Sequence, residues 1–155
     1  MSFAPIYSDN SQILILGSYP SPKSREVQFY YGNEQNRFWK MLSNIYNVNL
    51  PNDINGKKSL ILNNSLALWD SLYSCDINGA SDASITNPVA NDIKALCSNA
   101  NIKRILCNGA TAYKMYIKFN NIHNIQCMQL PSTSPANAAY SLDKLVSLWK
   151  PQLLL

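Results

Sequence analysis

Charged side chains and histidine are scarce in this chain of 155 residues. Only 14% of the residues are Asp, Glu, Lys or Arg, so the surface must draw its polarity from Asn, Ser, Thr and Gln. The single histidine, His123, stands between asparagines in a predicted turn and outside every loop that follows a predicted strand. A Ser-His-Asp triad is therefore not expected, because it requires an imidazole as its base.

The chain also lacks the cysteine spacing of metal centres. Its four cysteines, Cys75, Cys97, Cys107 and Cys127, form no CxxC pair, and one histidine adds little to a ligand set. We therefore expect no structural zinc, no iron–sulfur cluster and no other metal or cofactor. Reduced, buried thiols of a cytoplasmic protein are the expected state of these cysteines.

Phosphate-binding signatures and membrane segments are missing as well. No GxxxxGK[ST] sequence is present, which excludes a P-loop, and no GxGxxG follows the first predicted strand. No apolar run approaches the roughly 20 residues that span a bilayer. The N-terminal residues lack the charged and then apolar pattern of a signal peptide. We therefore expect neither a membrane partner nor a dinucleotide.

What the chain does have is enough apolar sequence for one domain of ordinary size. Hydrophobic residues make up 46% of the sequence, which predicts a single domain over residues 1–155 with a sizeable core. The net charge of +4 is mildly basic, which is compatible with binding nucleic acid without requiring it. We expect a monomer.

Short apolar runs and helical patterns alternate along the chain. The runs at 12–16, 66–69, 104–107 and 125–130 are bounded by turn residues, as is typical of parallel strands buried on both faces. Helical patterns lie at 37–46, 57–63, 91–96, 110–119 and 136–149. Asn91 is a candidate N-cap, and Pro151 is expected to close the last helix. This alternation predicts an α/β fold around a parallel sheet.

The loops after the four predicted strands share a polar composition. Ligands of open α/β sheets bind beyond the carboxyl ends of the strands. Those ends read Gly17 to Ser21, Asp70 to Asp76, Asn108 to Thr111 and Pro131 to Pro135, all of them small and rich in hydroxyls or amides. Two of the loops are predicted to open directly into helices, whose N-terminal N–H groups favour phosphate. The sequence therefore predicts a site of amides, hydroxyls and backbone groups.

Residues of the first loop each have two interpretations on these grounds. Asn36 either caps the helix that carries Phe38 and Trp39 or positions water or a sugar. Tyr30 and Tyr31 either belong to the core or stack on an extruded base.

Residues of the later loops also have two interpretations each. Asn108 either caps a helix or hydrogen-bonds the edge of a base, because an amide offers a donor and an acceptor side by side. Ser132, Thr133 and Ser134 either cap the last helix or hold a DNA phosphate.

Three segments spread along the chain carry a more specific signal. The first joins Leu16-Gly17-Ser18-Tyr19-Pro20-Ser21 to Phe29-Tyr30-Tyr31-Gly32 and Asn36-Arg37-Phe38-Trp39. The second runs from Ala67-Leu68-Trp69-Asp70 to Asn91-Asp92-Ile93, and the third joins Asn108-Gly109 to Leu130-Pro131-Ser132-Thr133-Ser134-Pro135-Ala136-Asn137. Together they resemble the uracil-DNA glycosylase superfamily, most closely its hypoxanthine-DNA (DNA-deoxyinosine) glycosylase branch, family six.

The resemblance implies a three-layer α/β/α sandwich around a four-stranded parallel sheet, with residues 1–155 forming one DNA glycosylase domain. It implies a monofunctional enzyme of base excision repair that hydrolyses the N-glycosidic bond of a deaminated base. That base is chiefly hypoxanthine, in a nucleotide that has flipped out of the DNA. The implied partner is DNA containing deaminated bases.

The resemblance also bears on individual residues. It makes Asn36 the catalytic residue, which orients a water beneath the sugar; whether Glu34 or Asp70 assists it stays open. We expect the base to be held by Gly17, Ser18, Tyr19, Pro20, Tyr30, Tyr31 and Asn108. We expect the DNA to be contacted by Ser21, Ser132, Thr133, Ser134, Pro135, Ala136 and Asn137.

Two other functions remain open on the sequence. A mismatch-type uracil or thymine glycosylase normally has Gly-x-Asn-Pro-Gly in its first motif, and Tyr19 occupies the Asn position here, which argues against it. A nucleotide-binding or DNA-binding module without catalysis is the second, since hydroxyl loops and helix N-termini serve binding equally well.

Overall fold

Six strands form two sheets within residues 1–154, the part of the chain that this computed structural model describes. They are β1 (Ile13–Gly17), β2 (Leu66–Asp70), β3 (Leu72–Asn78), β4 (Ser81–Ala90), β5 (Arg104–Asn108) and β6 (Gln126–Leu130). The order β2-β1-β5-β6 makes a parallel sheet, and β3 pairs with β4 as an antiparallel hairpin. The four apolar runs predicted as parallel strands are confirmed, each within one residue of its predicted ends.

Helices connect these strands. Within the described residues they are α1 (Pro22–Val27), α2 (Phe38–Ile45), α3 (Ile54–Leu62), α4 (Ile93–Asn99), α5 (Ala110–Phe119) and α6 (Leu142–Leu153). The first three lie between β1 and β2, α4 follows the hairpin, α5 lies between β5 and β6, and α6 follows the sheet. None of the helices in residues 1–154 is both long and apolar enough to cross a membrane.

The side chains of β1 point alternately into two layers of the core. Ile13 and Ile15 belong to a buried cluster with residues of α2, α3 and α6. Leu14 and Leu16 belong to a second buried cluster with residues of α4 and α5. Because successive side chains of a strand point to opposite faces, a strand that is apolar at every position needs helices on both sides. The predicted three-layer α/β/α sandwich is confirmed.

The last helix begins later than predicted. The prediction of 136–149 is wrong at both ends, since α6 begins at Leu142 and Pro151 lies inside its last turn. Ser141 is the N-cap, and its Oγ accepts a hydrogen bond from the backbone N–H of Lys144 at 3.2 Å. The helical pattern of 136–149 therefore mixed a loop with a helix, because the capping serine was not recognised as its start.

The loops at the strand ends differ from prediction in how they continue. The loop after β6 does not open into a helix, so the interpretation of Ser132, Thr133 and Ser134 as caps of the last helix is wrong. The loop after β1 instead leads through Ser21, whose Oγ accepts from the N–H of Ser24, into the unpredicted α1. Only the loop after β5 opens directly into a helix as predicted.

The β3–β4 hairpin is the second unpredicted element. Residues expected to form a loop after Asp70 continue instead as β3, which turns at Gly79 with a φ of 62° and returns as β4. The pairing of the two strands is interrupted by register shifts. Bulged strands have no regular alternation of apolar residues, which explains why the pattern was missed.

The start of α4 corrects a capping prediction and fixes the end of β2. Asp92 is the N-cap, with its Oδ1 accepting from the N–H of Ala95 at 3.1 Å, so the assignment of Asn91 as N-cap is wrong. Asn91 instead donates through Nδ2 to the backbone oxygen of Asp70 at 2.8 Å. This bond ties the end of the hairpin to the end of β2.

Candidate active site

The carboxyl ends of the parallel strands meet at one pocket of about 150 Å³. Gly17 ends β1, Asp70 ends β2, Asn108 ends β5, and the loop after β6 supplies Thr133. Parallel strands bring their carboxyl ends to one edge of the sheet, which is where such folds place ligands. The predicted site residues that line the pocket are Gly17, Ser18, Tyr19, Pro20, Ser21, Tyr30, Tyr31, Asn36, Asn108, Ser132, Thr133, Ser134 and Pro135.

Asn108 is engaged by its neighbours rather than free in the pocket. Its Oδ1 accepts from the backbone N–H of Thr133 at 3.0 Å, and its Nδ2 donates to Thr133 Oγ1 at 3.0 Å and to Tyr31 Oη at 3.1 Å. An amide has two N–H donors, and both are used. The cap interpretation is wrong, because Gly109 is the N-cap of α5 and Asn108 instead links β5 to two pocket loops.

Asn36 is joined to this network through Thr133. The buried Thr133 hydroxyl donates to Asn36 Oδ1 at 2.9 Å, and the same oxygen accepts from the N–H of Phe38 at 3.0 Å. The backbone donor fixes which end of the amide is oxygen. Asn36 therefore accepts a hydrogen bond from the first turn of α2 and holds one orientation in the pocket. Within residues 1–154 its amide N–H groups have no hydrogen-bond partner.

Tyr31 reaches the pocket through an unusual backbone conformation. Its φ of 52° lies in the left-handed region, which is uncommon for a bulky residue. One face of the ring stacks on Phe38, with centroids 4.2 Å apart, and the hydroxyl accepts from Asn108. Burial, and then the Asp70 carboxyl, raise the pKa of Tyr31 far above its usual value, so the hydroxyl keeps its proton.

Tyr30 and Tyr19 have different surroundings. Tyr30 is 3% exposed and packs edge-on against Phe3 and Phe29, while its hydroxyl donates to the backbone oxygen of Ala4 at 2.8 Å. It belongs to the core and also contributes to the wall of the pocket. Tyr19 is less buried, and the Arg25 guanidinium lies 5.7 Å from its ring centroid. Of the two, Tyr19 has the ring more available to a base.

Two carboxyl groups that the sequence did not assign to the site lie at the pocket. Asp82 was not among the predicted site residues, and Asp70 was an open alternative. Asp70, left open as an assistant to Asn36, is 4% exposed, and burial followed by the Asp82 charge raises its pKa to about 7. Asp82 comes from β4, within hydrogen-bond reach of Ser18 Oγ at 3.4 Å. Burial raises the Asp82 pKa, against hydrogen bonds from Thr111 and Ser18 that lower it.

Other parts of the pocket wall come from segments that the sequence did not assign to the site. They are Phe3, Ser24, Asn33, Ile77 and Ala80, in addition to the two carboxyl groups. The Asn78-Gly79 pair is a common signal of a hairpin turn and was available in the sequence. Glu34 is exposed and does not line the pocket.

The loop after β6 presents two hydroxyls with uncommitted protons. Ser132 Oγ accepts from the N–H of Ser134 at 3.1 Å, and Ser134 Oγ accepts from the N–H of Ala136 at 3.2 Å. Both hydroxyls can therefore still donate, in contrast to Thr133. Ala136 is exposed and Asn137 donates to Ser132 O at 3.0 Å, so these two residues border the loop without lining the pocket. In residues 1–154 no three His, Cys, Asp or Glu side chains group as a metal site would require.

A Gly17→Ala substitution should disturb this arrangement directly. A Cβ at Gly17 would lie 2.5 Å from Asp70 Oδ1 and 2.9 Å from Tyr31 Oη, and the Tyr31 hydroxyl is held by Asn108. We expect a loss of about 1–3 kcal/mol in the free energy of unfolding, which is typical of overpacking. Urea denaturation of the variant and the wild type measures it. Equal stability of the two proteins would show that the pocket has room to adjust.

Comparison with known proteins finds similarity along nearly the whole chain. Residues 4–151 match the family model of the uracil DNA glycosylase superfamily. A protein of Methanosarcina acetivorans named hypoxanthine DNA glycosylase is 31% identical over 143 residues, which cover 92% of this chain and 90% of that one. A Methanosarcina barkeri protein of the same name is 32% identical over 109 residues, 69% of each chain.

A solved structure agrees with the fold. The solution NMR structure of an M. acetivorans protein, provisionally named a uracil DNA glycosylase, superimposes with a TM-score of 0.81. The two chains are 29% identical, and the match covers 98% of this chain and 96% of the other.

Proposed function

Because the chain belongs to the uracil DNA glycosylase superfamily, we propose that it is a DNA glycosylase that removes hypoxanthine from DNA. The observation that carries the proposal is the pocket at the strand ends, in which Asn36 is held beside neutral amides and hydroxyls. Relatives named for hypoxanthine, matched over most of the chain, favour that base over uracil or thymine.

The reaction is a hydrolysis in which the base is the leaving group. The nucleotide flips out of the duplex into the pocket, which requires a few kcal/mol for unstacking and unpairing. The bond between C1′ and the base nitrogen then breaks, and its electron pair leaves with the base. Water forms the new C1′–O bond, and the proton that it releases balances the charge of the departing base. The products are free hypoxanthine and an abasic site.

Asn36 is the proposed catalytic residue. Its oxygen is fixed by the Thr133 hydroxyl and the Phe38 N–H, so the side chain does not need to reorient when the substrate arrives. A neutral amide is a weak base, which leaves positioning of water and sugar as its main contribution. Asn108 is proposed to act indirectly on the base, by holding Tyr31 Oη and Thr133 where they meet it.

The DNA backbone is proposed to lie along the loop after β6 and the start of α1. Ser132 and Ser134 have hydroxyl protons available for phosphate oxygens, and side-chain hydroxyls are common phosphate contacts. Ser21 lines the same pocket. The four cysteines are free, which supports a reducing, cytoplasmic setting, and we propose that the protein acts there as a monomer.

The proposal is tested with oligonucleotide duplexes that carry hypoxanthine, xanthine, uracil or a thymine mispair at one position. Alkali cleaves the strand wherever a base has been released, and the same duplex with guanine at that position is the control. We expect strand breaks at hypoxanthine and none at guanine.

The other outcomes separate the alternatives. Breaks at uracil without breaks at hypoxanthine would assign the chain to mismatch-type uracil excision. Binding to these duplexes without any strand break would leave a DNA-binding module.

A further inference from the structure

We propose that Asp70 contacts the flipped base and, as a neutral carboxylic acid, donates a hydrogen bond to an acceptor atom of the leaving base. The inference rests on the proposed glycosylase function and names a further catalytic residue of that site. It is carried by the position of the Asp70 side chain, by its lack of a partner and by the charges that face it.

The Asp70 side chain lies at the centre of the strand ends. Asp70 is the last residue of β2 and pairs in register with Gly17, the last residue of β1. Its Oδ1 lies over the backbone of Gly17, so close that a Cβ there would be 2.5 Å away. Asp70 lines the same pocket as Asn36 and Tyr31. A base that enters the pocket therefore meets this carboxyl group.

Within residues 1–154 the carboxyl group lacks the partners that a buried acid normally has. Its Oδ2 is buried and accepts no hydrogen bond, and Asp70 forms no ion pair. An ionised carboxylate buried without a partner is strongly unfavourable, whereas a neutral carboxyl group is tolerated. A buried polar group left unpaired in a native protein calls for an explanation, and a ligand that supplies the missing bond provides one.

The titratable groups that face Asp70 reinforce the neutral form. They are Asp82 from β4, Tyr19 from the loop after β1, and Tyr30 and Tyr31 from the segment before α2. None of these side chains carries a positive charge that would stabilise the carboxylate. Burial and the Asp82 charge together raise the Asp70 pKa to about 7, so the protonated form is well populated near neutral pH.

A neutral donor at this place assists departure of the base. Negative charge develops on the base as the glycosidic bond breaks, and hypoxanthine offers oxygen and ring-nitrogen acceptors on which that charge is spread. A hydrogen bond from Asp70 stabilises this charge more in the transition state than in the ground state. Ionised Asp70 would repel the same charge, so loss of its proton should slow the reaction.

The test compares pH profiles of single-turnover hypoxanthine release between about pH 5.5 and about pH 9. For the wild type we expect the rate to fall above neutral pH, approaching tenfold per pH unit beyond the inflection, as for one essential acid. Asp70→Asn keeps the shape but does not titrate, and its amide N–H is a weaker donor than the O–H of a carboxylic acid. We therefore expect a slower rate at pH 6, with that inflection absent.

Asp82→Asn is the matched control, because it removes the other pocket carboxyl group. Removing the Asp82 charge lowers the Asp70 pKa, so the inflection should persist and move to lower pH. An unchanged inflection in Asp70→Asn, or a wild-type rate that does not depend on pH, would overturn the inference while base release itself still supports the proposed function. No base release from any lesion would overturn both.

Thermal unfolding verifies that the Asp70→Asn variant is folded. The direction in which its unfolding temperature should differ from that of the wild type follows from the pKa of Asp70. The folded-state pKa of about 7 lies above the value of 3.8 for a free carboxyl group. The wild type is therefore most stabilised by Asp70 below about pH 4, loses that stability as the pH rises to about 7, and changes little above it. We expect Asp70→Asn to unfold at or above the wild-type temperature at pH 8. A variant that unfolds well below it there would identify Asp70 as a structural residue instead.

Discussion

Replacing Asn36 with alanine is expected to slow hypoxanthine release by at least about 100-fold while the protein stays folded and still binds DNA. The magnitude is that of removing one preorganised polar group from an active site. The variant loses the amide in the pocket and the acceptor for the Thr133 hydroxyl, yet keeps the core contacts of Phe38 beside it. Single-turnover release and DNA binding by fluorescence anisotropy measure the two effects separately.

Asn33 offers a closely matched control for this experiment. It lines the same pocket, and its Oδ1 accepts from the N–H of Gln35 at 2.9 Å, two residues on, just as Asn36 Oδ1 accepts from Phe38. Asn33→Ala therefore removes the same local hydrogen bond, whose net worth is about 1 kcal/mol, without touching Thr133. We expect it to retain most of the activity. Equal loss in both variants would mean that the loop conformation, rather than the Asn36 amide, is what matters.

Asn36→Asp refines the interpretation. A carboxylate keeps both acceptor bonds, to the Thr133 hydroxyl and the Phe38 N–H, and places a negative charge near the positive charge that develops on the sugar. We expect it to release hypoxanthine at least about tenfold faster than Asn36→Ala. If both variants are equally slow, the amide N–H groups of Asn36 carry its contribution.

The parallel sheet was predictable because its strands are buried on both faces. Leu14 and Leu16 pack against one layer of helices, while Ile13 and Ile15 pack against the other, so the run has no polar position. Such runs are short, continuous and easy to recognise. Once the strands were known, the topology alone placed their polar carboxyl ends at one edge, and the resemblance to a glycosylase superfamily is confirmed by the family match.

The elements that the sequence did not predict are those without regular periodicity. The β3–β4 hairpin is largely exposed and bulged, and α1 has only six residues. The start of α6 depended on one capping hydrogen bond at Ser141, in a loop already rich in serine. Local patterns do not decide such cases, because tertiary contacts select among conformations of similar energy.

The same limit applied to the candidate site. Its members could be assigned to loops, but their hydrogen-bond partners follow from the three-dimensional arrangement. Asn108 looked like a group for binding the base and proves to be engaged by Thr133 and Tyr31. Asp70 looked equally suited to a structural role, and what favours a role in the site is its place in the pocket together with its lack of a partner in the described residues.

Arg37 connects the loop after β6 to the start of α2 more extensively than any contact that the sequence suggested. Its guanidinium donates to the backbone oxygens of Thr133 at 3.3 Å, Ser134 at 2.8 Å and Asn137 at 3.1 Å, and also to that of Tyr140. The backbone N–H of Arg37 donates to the backbone oxygen of Thr133 as well, at 3.1 Å. The planar guanidinium suits several acceptors at once, which an ammonium group does not. Arg37 therefore holds the loop that carries Ser132 and Ser134 in addition to the bonds between Asn108 and Thr133.

We expect Arg37→Met to lose the ordered conformation of this loop while most of the core stays in place. Methionine preserves the aliphatic length but removes the guanidinium bonds to four backbone oxygens, three of which keep a backbone N–H donor. A hydrogen bond from a charged group has a net worth of about 1.5–3 kcal/mol. Because the loop can relax into solvent, we expect a net loss of about 2–4 kcal/mol in the free energy of unfolding. We also expect hypoxanthine release to fall by about 10- to 100-fold, through misplacement of Thr133 and hence of Asn36.

The control for Arg37→Met is Arg104→Met. Arg104 carries the same charge but lies at the opposite end of the sheet, where it donates to one backbone oxygen, that of Gln152, at 2.8 Å. Hydrogen exchange should rise across residues 131–141 in Arg37→Met and not in Arg104→Met, since only the first change removes bonds to that segment. Arg37→Lys should behave like Arg37→Met, because a single ammonium group does not reach four acceptors. Full activity in Arg37→Lys would mean that positive charge alone, rather than the guanidinium hydrogen bonds, holds the loop for DNA.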